Sequence, residues 1–440
     1  MRAIAARHRP FLVSSASLLS LLALLGIAYA LVGERLVAAA YEGDTFAWLD
    51  AYAAPRGRTL ERVLLRADGQ FHSALRVAFA LWSLGALLYL VLQRPRGKRW
   101  VAPALLAWWL GVETFVAPRL DFPMWTVLYN TVRDPDHRPT YTDGDYNRDA
   151  LRGTPPPEEF AEAGTNLLFL GDSFTMGAGV RPEEAFPQVT GALLAQRLGG
   201  EPVRVANFGW VSSSPLLSWR RLVDLGESYR PDVVVLAVDM TDFSDDLRYE
   251  RMLERRGIYW FYERTPLTTR TLQKLWPEGF RKLGAWSLGG IPDRRFYVTD
   301  APWTENRRWI DALVGNVERI AAWCDERQVE FVLVVLPRPY QYSDREVPRN
   351  WEGGEYQVLG PYAHEPFRFF DQYAQTARFP VVSLLSTFWE TDVFPTCFEQ
   401  DPHYNAAGHR VAAQAIAREL ETVLEVSERP EVSLQVPNAR

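Results

Sequence analysis

A chain of 440 residues is too long for one average domain, and 48% hydrophobic content with 16 Trp is ample for a large core. Net charge is −6 with no long block of one sign, which argues against nucleic acid as a partner. Two cysteines, Cys324 and Cys397, stand far apart in no CxxC pattern, so a zinc ribbon and a disulfide scaffold are excluded. One disulfide or two buried thiols both remain open.

Phe11 to Gly33 is an uninterrupted apolar stretch, long enough for the roughly 20 residues that cross a bilayer. Val77–Gln93 and Val101–Val116 are further apolar runs, short alone but extendable by their flanks. Trp100, Trp108 and Trp109 suit interfacial or lipid-facing positions, and Glu113 lies where it can reach the headgroups. A soluble helical bundle is the competing reading. Arg2, Arg7 and Arg9 precede the first run, and Arg94, Arg96, Lys98 and Arg99 crowd the link between the second and third. Both clusters are expected on the cytoplasmic side, so three spans put everything after Pro118 outside the cytoplasmic membrane. Ala28-Tyr29-Ala30 also fits a signal cleavage site, and that reading leaves the C-terminal region on the same side.

Residues 119–163 read as a linker broken by Pro123, Pro135, Pro139 and the Pro155-Pro156-Pro157 run. Strands are then expected at Asn166–Leu170, Val203–Asn207, Val233–Val238, Glu330–Leu336 and Val381–Leu385. Helices are expected at Pro182–Leu198, Pro215–Tyr229, Arg307–Gln328, Phe367–Arg378 and Ala406–Val423. The alternation is that of a doubly wound parallel α/β sheet. An insertion near 247–305 carries Tyr259-Trp260-Phe261-Tyr262, Trp276, Trp286 and several arginines. The 259–262 aromatics suit either stacking on sugar rings or a small core of their own. The tail over 427–440 reads as flexible.

The first strand runs into Gly171-Asp172-Ser173-Phe174-Thr175-Met176-Gly177. Ligands gather beyond the carboxyl ends of strands in open parallel sheets, and a serine at a helix start is exposed beside unpaired N–H groups. Asp-Ser after a strand is also ordinary helix capping. A serine nucleophile needs a base, and the base needs an acceptor to set its tautomer. Asp401 and His403, in Asp401-Pro402-His403-Tyr404-Asn405, supply that pair at the far end of the chain. The competing reading is polar loop residues before a helix capped by Asn405.

GDSFTMG resembles the first block of the SGNH/GDSL hydrolases and DPHYNAAGH resembles their last. Between them, Asn207-Phe208-Gly209-Trp210-Val211-Ser212 is similar to the second block, and Pro231–Leu236 leads into the third. The four blocks fall in family order over about 250 residues, each after an expected strand. The resemblance implies a flavodoxin-like three-layer α/β/α domain, expected over 164–426; the apolar runs before it predict an all-α membrane region over 1–118. It implies hydrolysis or transfer of an acyl ester, with Ser173, His403 and Asp401 as triad and no cofactor. The oxyanion hole implied is Ser173 and Ser212 with Thr241, and Asp172, Asn207, Gly209 and Asp242 are the supporting residues. Two departures stand out: Ser212 occupies a position usually glycine, and Thr241 one usually asparagine. Asp239, Asp242, Asp245 and Asp246 have no His or Cys beside them, so a solvated loop or helix cap is expected rather than a metal site. His409 is expected on a helix face and His364 in a loop. The substrate class that fits is an O-acyl, above all O-acetyl, ester of an exported or cell-wall polysaccharide. Lipid esterase, O-acetyltransferase with an acyl-transfer or export partner, and non-catalytic glycan-binding protein are the alternatives.

Overall fold

The computed structural model describes residues 2–33, 35, 60–93, 97–117, 145–160, 164–255, 265–346 and 352–427. They fall into two compact units, one holding the N-terminal helices with residues 265–287, the other the remainder of the C-terminal region.

In the first unit, helices Arg2–Ala28 and Leu60–Leu92 run antiparallel, since Phe11 stacks on Tyr89 and Tyr29 on Phe71 at 4.1 and 4.0 Å. Val13–Gly33 and Phe71–Leu92 are long and apolar enough to cross a membrane. The third apolar run forms helix Val101–Gly111 and one wider turn to Val116. At ~1.5 Å per residue it reaches ~24 Å, short of a ~30 Å hydrocarbon core. Trp108 and Trp109 turn inward rather than outward. The Trp108 indole N–H donates to Ser83 Oγ (2.9 Å) and the Trp109 indole N–H to Thr268 Oγ1 (2.7 Å). Glu113 is also turned inward and buried, accepting the backbone N–H of Thr268 at 2.7 Å. It thereby caps helix Pro266–Leu275, whose first N–H groups have no partner within the helix. Trp276 and Trp286, in the same unit, are exposed; the aromatics at 259–262 lie outside the described residues.

The second unit is built on five parallel strands: β1 Thr165–Leu170, β2 Val203–Asn207, β3 Val233–Val238, β4 Glu330–Val335 and β5 Val381–Ser383. Their order is β2-β1-β3-β4-β5. β3 is buried at all six positions because helices cover both faces of the sheet. One face, with Leu168, Leu170, Val234 and Leu236, packs on helices Pro215–Leu225, Trp303–Asp325 and Glu365–Tyr373. The other, with Leu167, Phe169, Val233 and Val235, packs on helices Phe186–Arg197 and Ala406–Ser427. Alternate residues of each strand feed opposite cores, giving the three-layer α/β/α sandwich expected. Cys324 and Cys397 lie in these two separate cores, and both are free thiols.

Residues 145–160, read from sequence within the linker, instead pack against this domain. Arg152, 5% exposed, donates to the carbonyls of Gly177 (2.6 Å) and Val180 (2.7 Å). The acids after β3 are buried rather than solvated. Asp246 accepts the Leu216 N–H (2.6 Å) at the start of helix Pro215–Leu225 and the Asn316 side-chain amide (2.7 Å). Burial, its largest influence, pushes its carboxyl up to about 7 despite those two donors. An acid with a raised folded value stabilises the fold below its unfolded value near 3.8, and that stability is lost as pH rises through about 7. Asp246→Asn is therefore expected to flatten the fall in melting temperature between about pH 4 and 7, measured on the full chain in detergent.

Candidate active site

Asp172 follows β1 and caps the short helix Ser173–Met176, its Oδ1 accepting the Phe174 N–H at 2.8 Å. Ser173 thus stands at the first helical position off the carboxyl edge of the sheet, 7% exposed. Two glycine positions hold the backbone close. A Cβ on Gly171 would meet Thr175 Oγ1 at 2.1 Å, and one on Gly209 would meet the Met176 backbone nitrogen at 2.4 Å. Asn207 ties the same parts together: its side-chain amide donates to the Thr175 carbonyl (2.9 Å) and its Oδ1 accepts the Gly209 N–H (3.0 Å).

The DPH segment is a strand rather than a run of polar loop residues. β6 Cys397–Phe398 and β7 Asp401–Tyr404 form a small antiparallel pair. In a strand, residues two apart share a face. Asp401 and His403 therefore point together toward Ser173, while Pro402 and Tyr404 are buried behind them. Ser173 Oγ lies 2.7 Å from His403 Nε2. His403 Nδ1 makes a very short contact with Asp401, whose Oδ1 also accepts the His403 N–H at 3.0 Å. Burial works to raise the Asp401 carboxyl, but the His403 hydrogen bond and charge outweigh it and hold it low. An ionised carboxylate only accepts, so Nδ1 carries the ring proton and Nε2 is free to accept the serine hydroxyl. That arrangement can deprotonate Ser173 for attack on a carbonyl carbon.

Of the three donors expected for an oxyanion hole, two retain that capacity. Ser212 has φ +57°, the left-handed conformation that glycine adopts at little cost, which accounts for glycine being usual there. Among the described residues, neither the Ser173 nor the Ser212 backbone N–H has an acceptor. Thr241, expected as the third donor, does not retain it. It is 1% exposed, its hydroxyl donates to Asp239 Oδ1 at 2.6 Å, and the proton an oxyanion would need is already committed. Asp242 serves the same turn, accepting the Asp239 N–H at 2.8 Å.

A buried charge cluster absent from the sequence reading underlies this floor. Arg338, 3% exposed, pairs with Asp239 (2.8 Å) and with both oxygens of Glu352 (2.7 Å each). Its guanidinium carbon stands 4.9 Å from the centre of the Phe174 ring, which in turn lies 4.9 Å from the His403 ring. Asp172 is pushed up to about 7 by burial first and the Asp239 charge second, against the pull of Arg338. Asp239 remains low because Arg338 and Thr241 outweigh its burial. Nothing in the local pattern Pro337-Arg338-Pro339 marks this arginine; its position just past β4 is the only signal. His409 lies on the last helix, where its Nδ1 accepts the Phe186 N–H (3.1 Å) and burial pushes it down to about 3. His364 Nε2 is 2.6 Å from the Gln341 carbonyl. No cluster suited to a metal ion occurs among the described residues.

The serine off β1 and the Asp-x-His ahead of the last helix are the two segments in which the sequence resembles the SGNH/GDSL hydrolases, and in the structure they meet. No protein-family model matches the chain, and no curated protein sequence does. Similar solved structures include a GDSL-like lipase from Bacteroides thetaiotaomicron VPI-5482, at 12% identity and TM-score 0.33, covering 61% of this chain and 92% of that one. A catalytic mutant of an acetylxylan esterase from Geobacillus stearothermophilus is similar at 17% identity and TM-score 0.34, covering 59% and 95%.

Arg338→Met removes the cation bonded to both Asp239 and Glu352, leaving Glu352 only Arg295 at 3.8 Å, and is expected to cost about 3–5 kcal/mol in denaturant unfolding of the full chain. Gly209→Ala is expected to displace the nucleophile turn and lower turnover of a small ester by on the order of 10²-fold, with the chain still folded by circular dichroism.

Proposed function

We propose that the region over 164–426 is a serine esterase of the SGNH type. His403, oriented by Asp401, takes the Ser173 proton as Oγ attacks the carbonyl carbon of an ester. The N–H groups of Ser173 and Ser212 receive the developing oxyanion. The imidazolium returns the proton to the departing alcohol, and water resolves the acyl-enzyme by the same route. The observation that supports this reading is the 2.7 Å contact between Ser173 Oγ and His403 Nε2, with Asp401 on the far ring nitrogen. A fluorophosphonate probe is expected to label the purified protein and to fail on Ser173→Ala, whose turnover should fall by several orders of magnitude. A folded wild-type protein that is neither labelled nor hydrolytic would overturn it in favour of a non-catalytic binding protein.

The finer reading places this domain on the extracytoplasmic side of the cytoplasmic membrane, acting on O-acyl esters of an envelope or exported polysaccharide. Its support is the pair of arginine-rich flanks, Arg2 to Arg9 and Arg94 to Arg99; it requires that Val101–Val116, too short alone, be extended by its flanks into a third crossing, since two crossings return the chain to the cytoplasmic side. Alkaline phosphatase, which matures only after export, is expected to be active when fused within 145–160. A fusion that is inactive there while a cytoplasmic reporter works would move the domain to the other side.

A further inference from the structure

Beyond the ends of β3 and β4 the second unit holds a cavity of about 460 Å³. Met240, just past β3, and Tyr340, just past β4, form part of its wall. Ser173 stands off β1, the neighbour of β3 in the sheet, so cavity and serine occupy one carboxyl edge. Contacts link the two: Tyr340 at the wall bonds to Glu352, Glu352 pairs with Arg338 at 2.7 Å, and the Arg338 guanidinium carbon stands 4.9 Å from the centre of the ring of Phe174, the residue after Ser173.

The lining has a particular chemistry. Tyr340, Tyr356 and Tyr362 contribute ring surface, the kind of wall that packs against the C–H faces of a pyranose. The Tyr340 and Tyr356 hydroxyls are committed to Glu352. By contrast, the Tyr362 hydroxyl and the Gln357 amide have no side-chain partner among the described residues. The Nε of Arg294, buried at this wall, also donates to nothing. Hydroxyl-bearing ligands satisfy such mixed donors and acceptors. Arg294 is neutralised by Asp300 at 3.0 Å, and Glu355 adds an acid, so the cavity offers no net positive charge to an anionic group. Its size is within the ~300–1,000 Å³ of pockets that hold small organic ligands.

We propose that this cavity is a subsite for an uncharged sugar residue next to the acylated one, so that oligomeric neutral glycan esters are preferred over monomeric ones. The assignment rests on the esterase reading of Ser173. The test uses full-length Tyr362→Ala and Gln357→Ala, assayed on 4-nitrophenyl acetate and on a partially O-acetylated manno-tetrasaccharide. On the tetrasaccharide, kcat/KM is expected to fall roughly tenfold in each variant, through KM, with 4-nitrophenyl acetate turnover unchanged. An undiminished tetrasaccharide rate, or an equal fall on both esters, overturns the subsite. Should the wild type cleave neither ester, saturation-transfer NMR of the deacetylated tetrasaccharide with Ser173→Ala decides separately. Transfer that disappears on adding Tyr362→Ala keeps the subsite while the esterase reading fails; absence of transfer from the outset removes both.

Discussion

A single hydrogen bond, Ser173 Oγ to His403 Nε2, spans 230 positions of chain, and the domain's layout can be understood as what holds its two ends. One end is fixed by β1 and the turn after it, where Asp172, Asn207 and Gly209 leave no room for the backbone to shift. The other is fixed by β7, whose strand alternation turns Asp401 and His403 to one face and anchors Tyr404 in the core behind them. The Tyr404 ring packs edge-on against Phe174 at 4.8 Å, so the residue after the histidine touches the residue after the serine. Each side chain of the triad thus has a chain neighbour that is itself buried in the core.

The second constraint is electrostatic. Burying carboxylates is costly unless cations and donors compensate them, and here one guanidinium serves several. Arg338 reaches Asp239 and Glu352 directly and lies 4.9 Å from the centre of the Phe174 ring, which is itself 4.9 Å from the His403 ring. The turn after β3, where an asparagine donor is usual in SGNH hydrolases, is instead absorbed into this cluster: Thr241 and Asp242 both bond to Asp239. The oxyanion hole proposed for this site then consists of backbone N–H groups, which need no particular side chain at either position. The left-handed Ser212 follows the same logic, since the backbone keeps a glycine-like shape and the side chain is incidental to it.

The parallel sheet was legible because burial on both faces leaves continuous apolar runs such as Val233–Val238, and because Gly-Asp-Ser and Asp-x-His are short motifs adjoining such runs. Strand positions came within one or two residues for the same reason. Thr241 was misread because the destination of a hydroxyl proton depends on which carboxylate folds beside it. The acids at 239–246 read as solvated because no linear pattern announces Arg338, some 100 residues later. Glu113 and the segment at 145–160 failed likewise. A lone carboxylate in an apolar run and a proline-broken stretch look like surface until a distant Thr268 or a loop carbonyl is placed against them.

What the sequence alone determined is therefore local and periodic: an N-terminal apolar run long enough to cross a membrane, five strands buried on both sides, and the residue types able to make a serine nucleophile. Tertiary structure alone decided which polar atoms meet. Asp401 faces His403 because β7 is extended, Thr241 is committed to Asp239, and the two cysteines are parted by the sheet. Hydrophobic periodicity is written into neighbouring residues, whereas hydrogen bonds and ion pairs join atoms that only the folded chain brings within 3 Å of each other.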